Sequence, residues 1–295
     1  MVTARSLLVV SFTFLSVSAA PLLPRENTAP VSVLTTAQVD AITPFANMAS
    51  AAYCSSASIM SWDCGADCSA LPGMVPIAAG GNNDAIPDWY VAYYPSAGAA
   101  VVSHQGTNTA SLESWIDDLE ADLVPIDQDY FPGTSDLGLE VHDGFQSTFE
   151  STAASVLSGV QTAISTYGAT QVYVVGHSLG AAIALFDAMY LNSNVDVPLT
   201  VRLFGLPRAG NVAWADYVDQ NLAGLYHVVN DNDIVPRLPS TDFGYEHPSG
   251  EVFITSDGGS TYDLCPGQEN YNCAIGINFL DDSTTPHDGP YAGVT

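Results

Sequence analysis

The pentapeptide Gly176-His177-Ser178-Leu179-Gly180 constrains this chain more than any other stretch. It stands between Gln171 to Val175, which reads as a buried strand, and Ala181 to Leu191, which reads as a nearly all-apolar helix. In that context Gly-x-Ser-x-Gly makes a sharp strand-to-helix turn. The serine takes a strained, exposed position, and the two glycines let strand and helix approach without a clash of Cβ atoms. The helix that begins behind Ser178 aims free backbone N–H groups at negative charge developing beside the hydroxyl. Ser178 is therefore the candidate nucleophile, and the rest of the chain must supply a base, an acid that orients it and an oxyanion site.

The segments around the pentapeptide predict the scaffold. Thr36 to Tyr53 repeats apolar residues at helical spacing despite Pro44. Trp89 to Tyr94 and Ala99 to His104, separated by Pro95-Ser96-Ala97-Gly98, read as a hairpin whose second strand delivers Gln105-Gly106-Thr107. Phe145, Phe149, Ala153, Val156, Val160 and Ile164 define a long amphipathic helix stopped at Gly168. Strand Val201 to Gly205, helix Val212 to Leu222, strand Leu225 to Val229 and strand Glu251 to Thr255 continue the alternation, which predicts an α/β domain on a mainly parallel sheet. The chain has 295 residues, 47% of them hydrophobic, enough for one core, and no internal repeat suggests a second domain.

Residues 1–20 have the pattern of a secretory signal peptide: Arg5, the apolar run Leu7 to Val17, then Ser18-Ala19-Ala20. That run is too short for a membrane anchor, so a secreted, extracellular protein without a transmembrane segment is expected. Residues 21–35, with three prolines among the first ten, read as a propeptide or linker, and residues 36–295 as the folded domain. In an oxidising compartment near-neighbour cysteines pair, giving Cys64 with Cys68 and Cys265 with Cys273. No zinc site is expected at Cys64 and Cys68, because no second close pair or nearby histidine completes four ligands. Five arginines and no lysine face 32 acidic residues, and the net charge of -27 argues against nucleic acid or an anionic lipid surface as partner. A neutral substrate fits better.

In strand-to-helix serine sites of this type the partners follow in the order Ser, Asp or Glu, then His. His104 and His142 precede Ser178, His177 is locked in the turn, and His227 lies on a strand before the acid, which leaves His247 and His287. Sequence order does not decide between them. For the acid, Asp233 follows a sheet strand in Asn230-Asp231-Asn232-Asp233, with Asp231 as the alternative. The same run lacks the glycine and closing glutamate of a calcium loop, and no metal or cofactor is expected.

With Gly176-His177-Ser178-Leu179-Gly180, Asp233-Ile234-Val235-Pro236-Arg237-Leu238-Pro239 and Val141-His142-Asp143-Gly144-Phe145, the chain resembles the fungal class 3 lipases from Thr36 onward. That family has an α/β-hydrolase fold and includes feruloyl esterases. The resemblance implies Ser178 as nucleophile, Asp233 as the orienting acid and His287, in His287-Asp288-Gly289-Pro290-Tyr291, as general base. It implies an oxyanion hole from Thr107 and the backbone N–H of Leu179. Leu112, Trp115, Ile116 and Leu119 fall at i, i+3, i+4 and i+7 on one face of an amphipathic stretch, and the resemblance makes that stretch a helical lid. Gln105 stands where many relatives carry Arg, and Ala181 where a second Gly is frequent. The resemblance also implies a C-terminal partner for Cys54, but no cysteine follows Tyr291, so Cys54 is expected to be unpaired, as in a truncated chain.

The expectation is thus a secreted lipase cleaving acylglycerol esters, at a lipid–water interface, through an acyl-enzyme. A feruloyl-type carboxylesterase is the alternative, and an inactive lipid-binding relative the rival from another class. The apolar lid face favours lipid.

Overall fold

In the computed structural model, residues 26–82, 86–107, 112, 116, 122–255 and 261–295 are described. Their frame is a nine-stranded sheet in the order β1-β13-β12-β10-β8-β7-β4-β3-β2. Its middle is parallel: β4 (Ala99–His104), β7 (Gln171–His177), β8 (Leu199–Phe204), β10 (Tyr226–Asn230) and β12 (Glu251–Ile254). Antiparallel strands flank it, β3 (Trp89–Tyr94) and β2 (Val75–Gly80) at one edge, β13 (Tyr262–Leu264) and β1 (Ser32–Val33) at the other. A small four-stranded sheet, β11-β9-β6-β5, lies apart, formed by Tyr245–Glu246, Gly210–Asn211, Glu140–His142 and Leu123–Pro125.

Period-two alternation sorts side chains to both faces of the large sheet. Val91, Ala100, Val102, Val172 and Val174 enter one core, under the helices α5 (Asp143–Tyr167) and α6 (Leu179–Asn194). Tyr90, Ala92, Val101 and Val175 enter another, on the side of Met48 and Ile59. Both faces of the centre are therefore covered, as a parallel sheet requires. The α6 helix is apolar nearly all round because it is enclosed, with eleven of its sixteen residues buried. His142 caps α5 by accepting from the Phe145 N–H, and Gly168, in the left-handed region at φ 73°, ends it.

The single opening helix expected over Thr36 to Tyr53 is two, α1 (Thr36–Asp40) and α2 (Thr43–Ala51), separated at Ala41 and Ile42. Proline lacks an N–H and is tolerated only in a first turn, so Pro44 starts the second helix instead of continuing the first. α3 (Ser56–Ser61) and α4 (Ala66–Ala70) follow before β2, and α7 (Val212–Asn221) lies between β9 and β10.

The signal-peptide region, residues 1–20, lies outside the described residues. Within the expected linker, the Asn27 side chain donates to the Pro266 and Gln268 carbonyls, Asn272 donates to those of Thr28 and Ala29, and β1 pairs with β13. That part of the segment is held against the domain by asparagine side chains on backbone carbonyls and by strand pairing, which its composition does not signal. Disulfides join Cys64 to Cys68 and Cys265 to Cys273, and Cys54 is free. Glu251, Cys265 and Cys273 come close enough to suggest a metal site, but the two sulfurs are bonded to each other. Among the described residues no helix is long and apolar enough to cross a membrane.

Phe149 of α5 is fully buried against Tyr130, Phe131, Phe186 and Tyr190. Phe149→Ala should destabilise the fold by about 3–5 kcal/mol, measured by urea denaturation.

Candidate active site

Ser178 sits between β7 and α6 at φ 59°, ψ -132°, a left-handed position that a serine holds only when its surroundings force it there. The two glycines explain how. A Cβ on Gly176 would lie 2.2 Å from the Gly180 carbonyl oxygen, and one on Gly180 would lie 2.3 Å from that of His104. Strand, helix and the end of β4 thus touch backbone to backbone. The Ser178 N–H donates to the Phe204 carbonyl at 2.9 Å, which fixes the turn to the neighbouring strand.

The side chain differs from expectation in one respect: Ser178 is 1% exposed, not open to solvent. The loop after β4 crosses directly over it, since a Cβ on Gly106 would lie 2.7 Å from both the Ser178 Cβ and the His177 carbonyl oxygen. Thr107 follows Gly106, its hydroxyl oxygen buried and unpartnered among the described residues. Leu179 is the first residue of α6, where an N–H has no preceding helical turn to bond. The departure at Gln105 has a local role, because its side chain accepts from the Asp88 N–H and its N–H donates to the Asp88 carbonyl.

His287 and Asp233 meet in the loops at the C-terminal ends of the strands. Nδ1 of His287 lies 2.7 Å from Oδ2 of Asp233, with side chains 1% and 0% exposed. Oδ1 of Asp233 accepts from the Val235 N–H at 3.0 Å. A carboxylate only accepts, so the imidazole proton sits on Nδ1 and leaves the lone pair of Nε2 outward. Nε2 of His287 and Oγ of Ser178 are both buried and both without a hydrogen-bond partner among the described residues. Their residues are linked through β8: the Ser178 N–H bonds to the Phe204 carbonyl, and a Cβ on the next residue, Gly205, would lie 2.7 Å from Cε1 of His287.

Of the two histidines left open by sequence order, His247 is elsewhere. Its Nε2 meets the Pro236 carbonyl at 2.7 Å and its ring stacks on His227, while its backbone N–H donates to Glu269. The Asp231 alternative does not pair with His287; its N–H donates to the Ile254 carbonyl. Of the proposed lid face, Leu112 is buried and Ile116 half-buried, and Trp115 and Leu119 lie outside the described residues.

His177 and Tyr53 have a part the sequence did not reveal. Nε2 of His177 lies 2.7 Å from the His287 carbonyl, which can only accept, so that nitrogen carries the proton and Nδ1 accepts from the Tyr53 hydroxyl at 2.6 Å. Burial, reinforced by the nearby His287, holds the His177 pKa down to about 3. The Tyr291 hydroxyl donates to the same carbonyl, and Asn230 donates to that of Pro286. The short turn carrying His287 is thereby bound to the elbow and to the β10 loop. A cavity of about 360 Å³ lies on the α2 side of His177, lined by Tyr53, Phe204, Asp288 and Tyr291 but not by Ser178.

A strained serine at a helix N-terminus, a buried histidine with an outward lone pair and an acid on its other nitrogen form a set able to generate a nucleophile. The family model described as Lipase (class 3) matches residues 101–243, which include the elbow and Asp233. A secreted mono- and diacylglycerol lipase of Malassezia globosa is 38% identical over 194 residues, 65% of this chain and 61% of the relative. Over the segment that holds the elbow and Asp233 the chain is similar to the class 3 lipases. A similar protein of Malassezia restricta is 33% identical over 177 residues, 59% of this chain and 56% of the relative. The match to these relatives therefore spans less than two thirds of their length. Among solved structures, lipase II from Rhizopus niveus superposes with a TM-score of 0.79 at 28% identity, covering 89% of this chain and 97% of that one. A triacylglycerol lipase whose catalytic centre is described as a serine-protease triad gives 0.79 at 27% identity, covering 90% and 99%. The fold is that of the α/β-hydrolases.

His247 makes a pH prediction with a definite sign. Burial, then the neighbouring His227, lowers its pKa to about 3 from an ordinary value of 6.5. The unfolded chain then binds the extra proton between those values, so the stability His247 contributes is present above about pH 6.5 and is lost as pH falls toward about 3. Replacing His247 with Gln should flatten the fall in unfolding free energy over that window by up to about 1.4 kcal/mol per pH unit, read from urea melts at successive pH values.

Proposed function

We propose that this chain is a class 3 lipase, a secreted carboxylic ester hydrolase of acylglycerols that works through an acyl-enzyme on Ser178. The observation that carries the reading is the buried Asp233–His287 hydrogen bond, which leaves Nε2 of His287, like Oγ of the strained Ser178, without a partner among the described residues. In this mechanism Nε2 takes the Ser178 proton as Oγ attacks the ester carbonyl carbon. Negative charge moves to the carbonyl oxygen, where the N–H groups of Leu179 and Thr107 and the Thr107 hydroxyl donate to it. His287 passes its proton to the leaving glycerol oxygen, and Asp233 stabilises the transient imidazolium. Water, deprotonated by the same nitrogen, then cleaves the acyl-enzyme and releases the fatty acid.

Mono- and diacylglycerols are the substrates we favour, because the relatives at 33–38% identity carry that description, whereas the triacylglycerol lipase structure is 27% identical. Charge agrees with a neutral substrate, since a chain of net charge -27 repels anionic lipid. The amphipathic stretch containing Leu112 and Ile116 is proposed as the lid, and residues 1–20 as a cleaved secretion signal, as the description of the relatives as secreted supports. The feruloyl alternative gains nothing from the lipases matched above, and an inactive lipid binder would have no need of a base held in one tautomer.

One preparation assayed on emulsified diacylglycerol, emulsified triacylglycerol and a soluble feruloyl ester should hydrolyse the diacylglycerol fastest. Ser178→Ala should lower that rate at least about a thousandfold. Full activity in that variant would exclude the mechanism, and a preference for the feruloyl ester would exclude the substrate class.

A further inference from the structure

The proposed reaction makes no use of the buried pair formed by His104 and Asp187. Nε2 of His104 lies 2.5 Å from Oδ2 of Asp187, with the side chains 1% and 0% exposed. His104 is the last residue of β4, and its side chain follows Ala100 and Val102 to the face covered by α5 and α6. Asp187 lies nine residues after Ser178, midway along α6. The contact therefore joins the strand that delivers Thr107, three residues on, to the helix that begins with Leu179.

The backbone makes that link consequential. The His104 and Gln105 carbonyl oxygens press on Gly180 so closely that a Cβ there would lie 2.3 and 2.6 Å from them. The loop from Gln105 to Thr107 consequently has little freedom to shift without disturbing α6. Fold stability gives no reason for a polar pair at this place, since an apolar pair of similar volume would fill it without desolvating two polar groups. Burial pushes the Asp187 carboxyl up and the neighbouring His104 opposes it, while Oδ1 of Asp187 has no partner among the described residues. What the pair adds over apolar packing is direction, because a short bond between defined atoms fixes how β4 and α6 are placed along each other, and apolar contacts do not.

We propose that His104 and Asp187 are positioning residues for the oxyanion hole, setting the Thr107 loop against the Leu179 N–H so that both donors converge on one oxygen. This rests on the ester-hydrolase reading. It requires that loss of the pair reduce turnover without weakening substrate binding, because the hole acts on charge present only in the transition state.

The experiment compares the wild type, Asp187→Asn, the double variant His104→Phe/Asp187→Leu and Ser178→Ala, using soluble p-nitrophenyl butyrate for kcat and KM and thermal melting for the fold. The double variant should melt at or above the wild-type temperature, keep KM within about twofold and lose kcat by about 10- to 100-fold. Asp187→Asn keeps an acceptor for His104 and should retain most of kcat. Should the double variant not fold, His104→Asn breaks the contact with a smaller change of volume and is read by the same split. A folded pair-lacking variant with wild-type kcat overturns the proposal while Ser178-dependent turnover in the wild type leaves the hydrolase reading intact. Turnover that survives Ser178→Ala overturns both.

Discussion

Everything at this site depends on backbone-to-backbone contact around Ser178. Gly176 and Gly180 remove the two Cβ atoms that would otherwise hold β7, α6 and the end of β4 apart. The result is a serine at φ 59°, a conformation costing roughly 1–3 kcal/mol that the surroundings must impose. They do so through extensive burial: α6 is enclosed on almost every side, and its Ala182, Ile183, Leu185 and Phe186 are inaccessible to solvent. Apolar burial worth about 1.5–3 kcal/mol per large side chain readily outweighs that strain. The geometry of Ser178 is thus a product of the core, since the helix behind it is almost wholly enclosed.

The same close contact organises the other groups. β4 ends against Gly180, and the loop that follows passes so close to Ser178 that a Cβ on Gly106, the residue before Thr107, would lie 2.7 Å from the Ser178 Cβ. β8 accepts the Ser178 N–H and continues to Gly205, whose lack of a side chain leaves room for the His287 ring. β10 ends in the loop carrying Asp233, and the His177 imidazole reaches across to the His287 carbonyl. Four neighbouring strands therefore each contribute one element at their C-terminal ends, where an α/β sheet presents its functional loops.

Much of this architecture was legible in the sequence, for identifiable reasons. Strong periodicity gave the β3–β4 hairpin, the long α5 helix and its Gly168 stop, and the strand and helix around Ser178. What local pattern could not give was pairing between distant segments. Tyr53 with His177, 124 residues apart, and His104 with Asp187, 83 apart, leave no mark on periodicity. Sequence order sorted the histidines but could not separate His287 from His247. Their environments do: His247 is stacked on His227 with Nε2 committed to a carbonyl, whereas Nε2 of His287 has no partner among the described residues. The break at Ala41 and Ile42 was missed because apolar spacing continues across it, while Pro44 alone carries the signal for a new helix start.

The central claim is that Ser178, His287, Thr107 and Leu179 converge on a single reacting carbonyl. The most direct test is a crystal structure of the protein after reaction with an alkyl phosphonate ester, whose tetrahedral phosphorus mimics the attacked carbon. The account predicts phosphorus bonded to Oγ of Ser178, with the phosphonyl oxygen about 2.7–3.1 Å from the backbone nitrogens of both Thr107 and Leu179. It further predicts Nε2 of His287 within hydrogen-bond reach of Oγ. Failure of Ser178 to react, or an adduct whose phosphonyl oxygen turns away from both nitrogens, would contradict it.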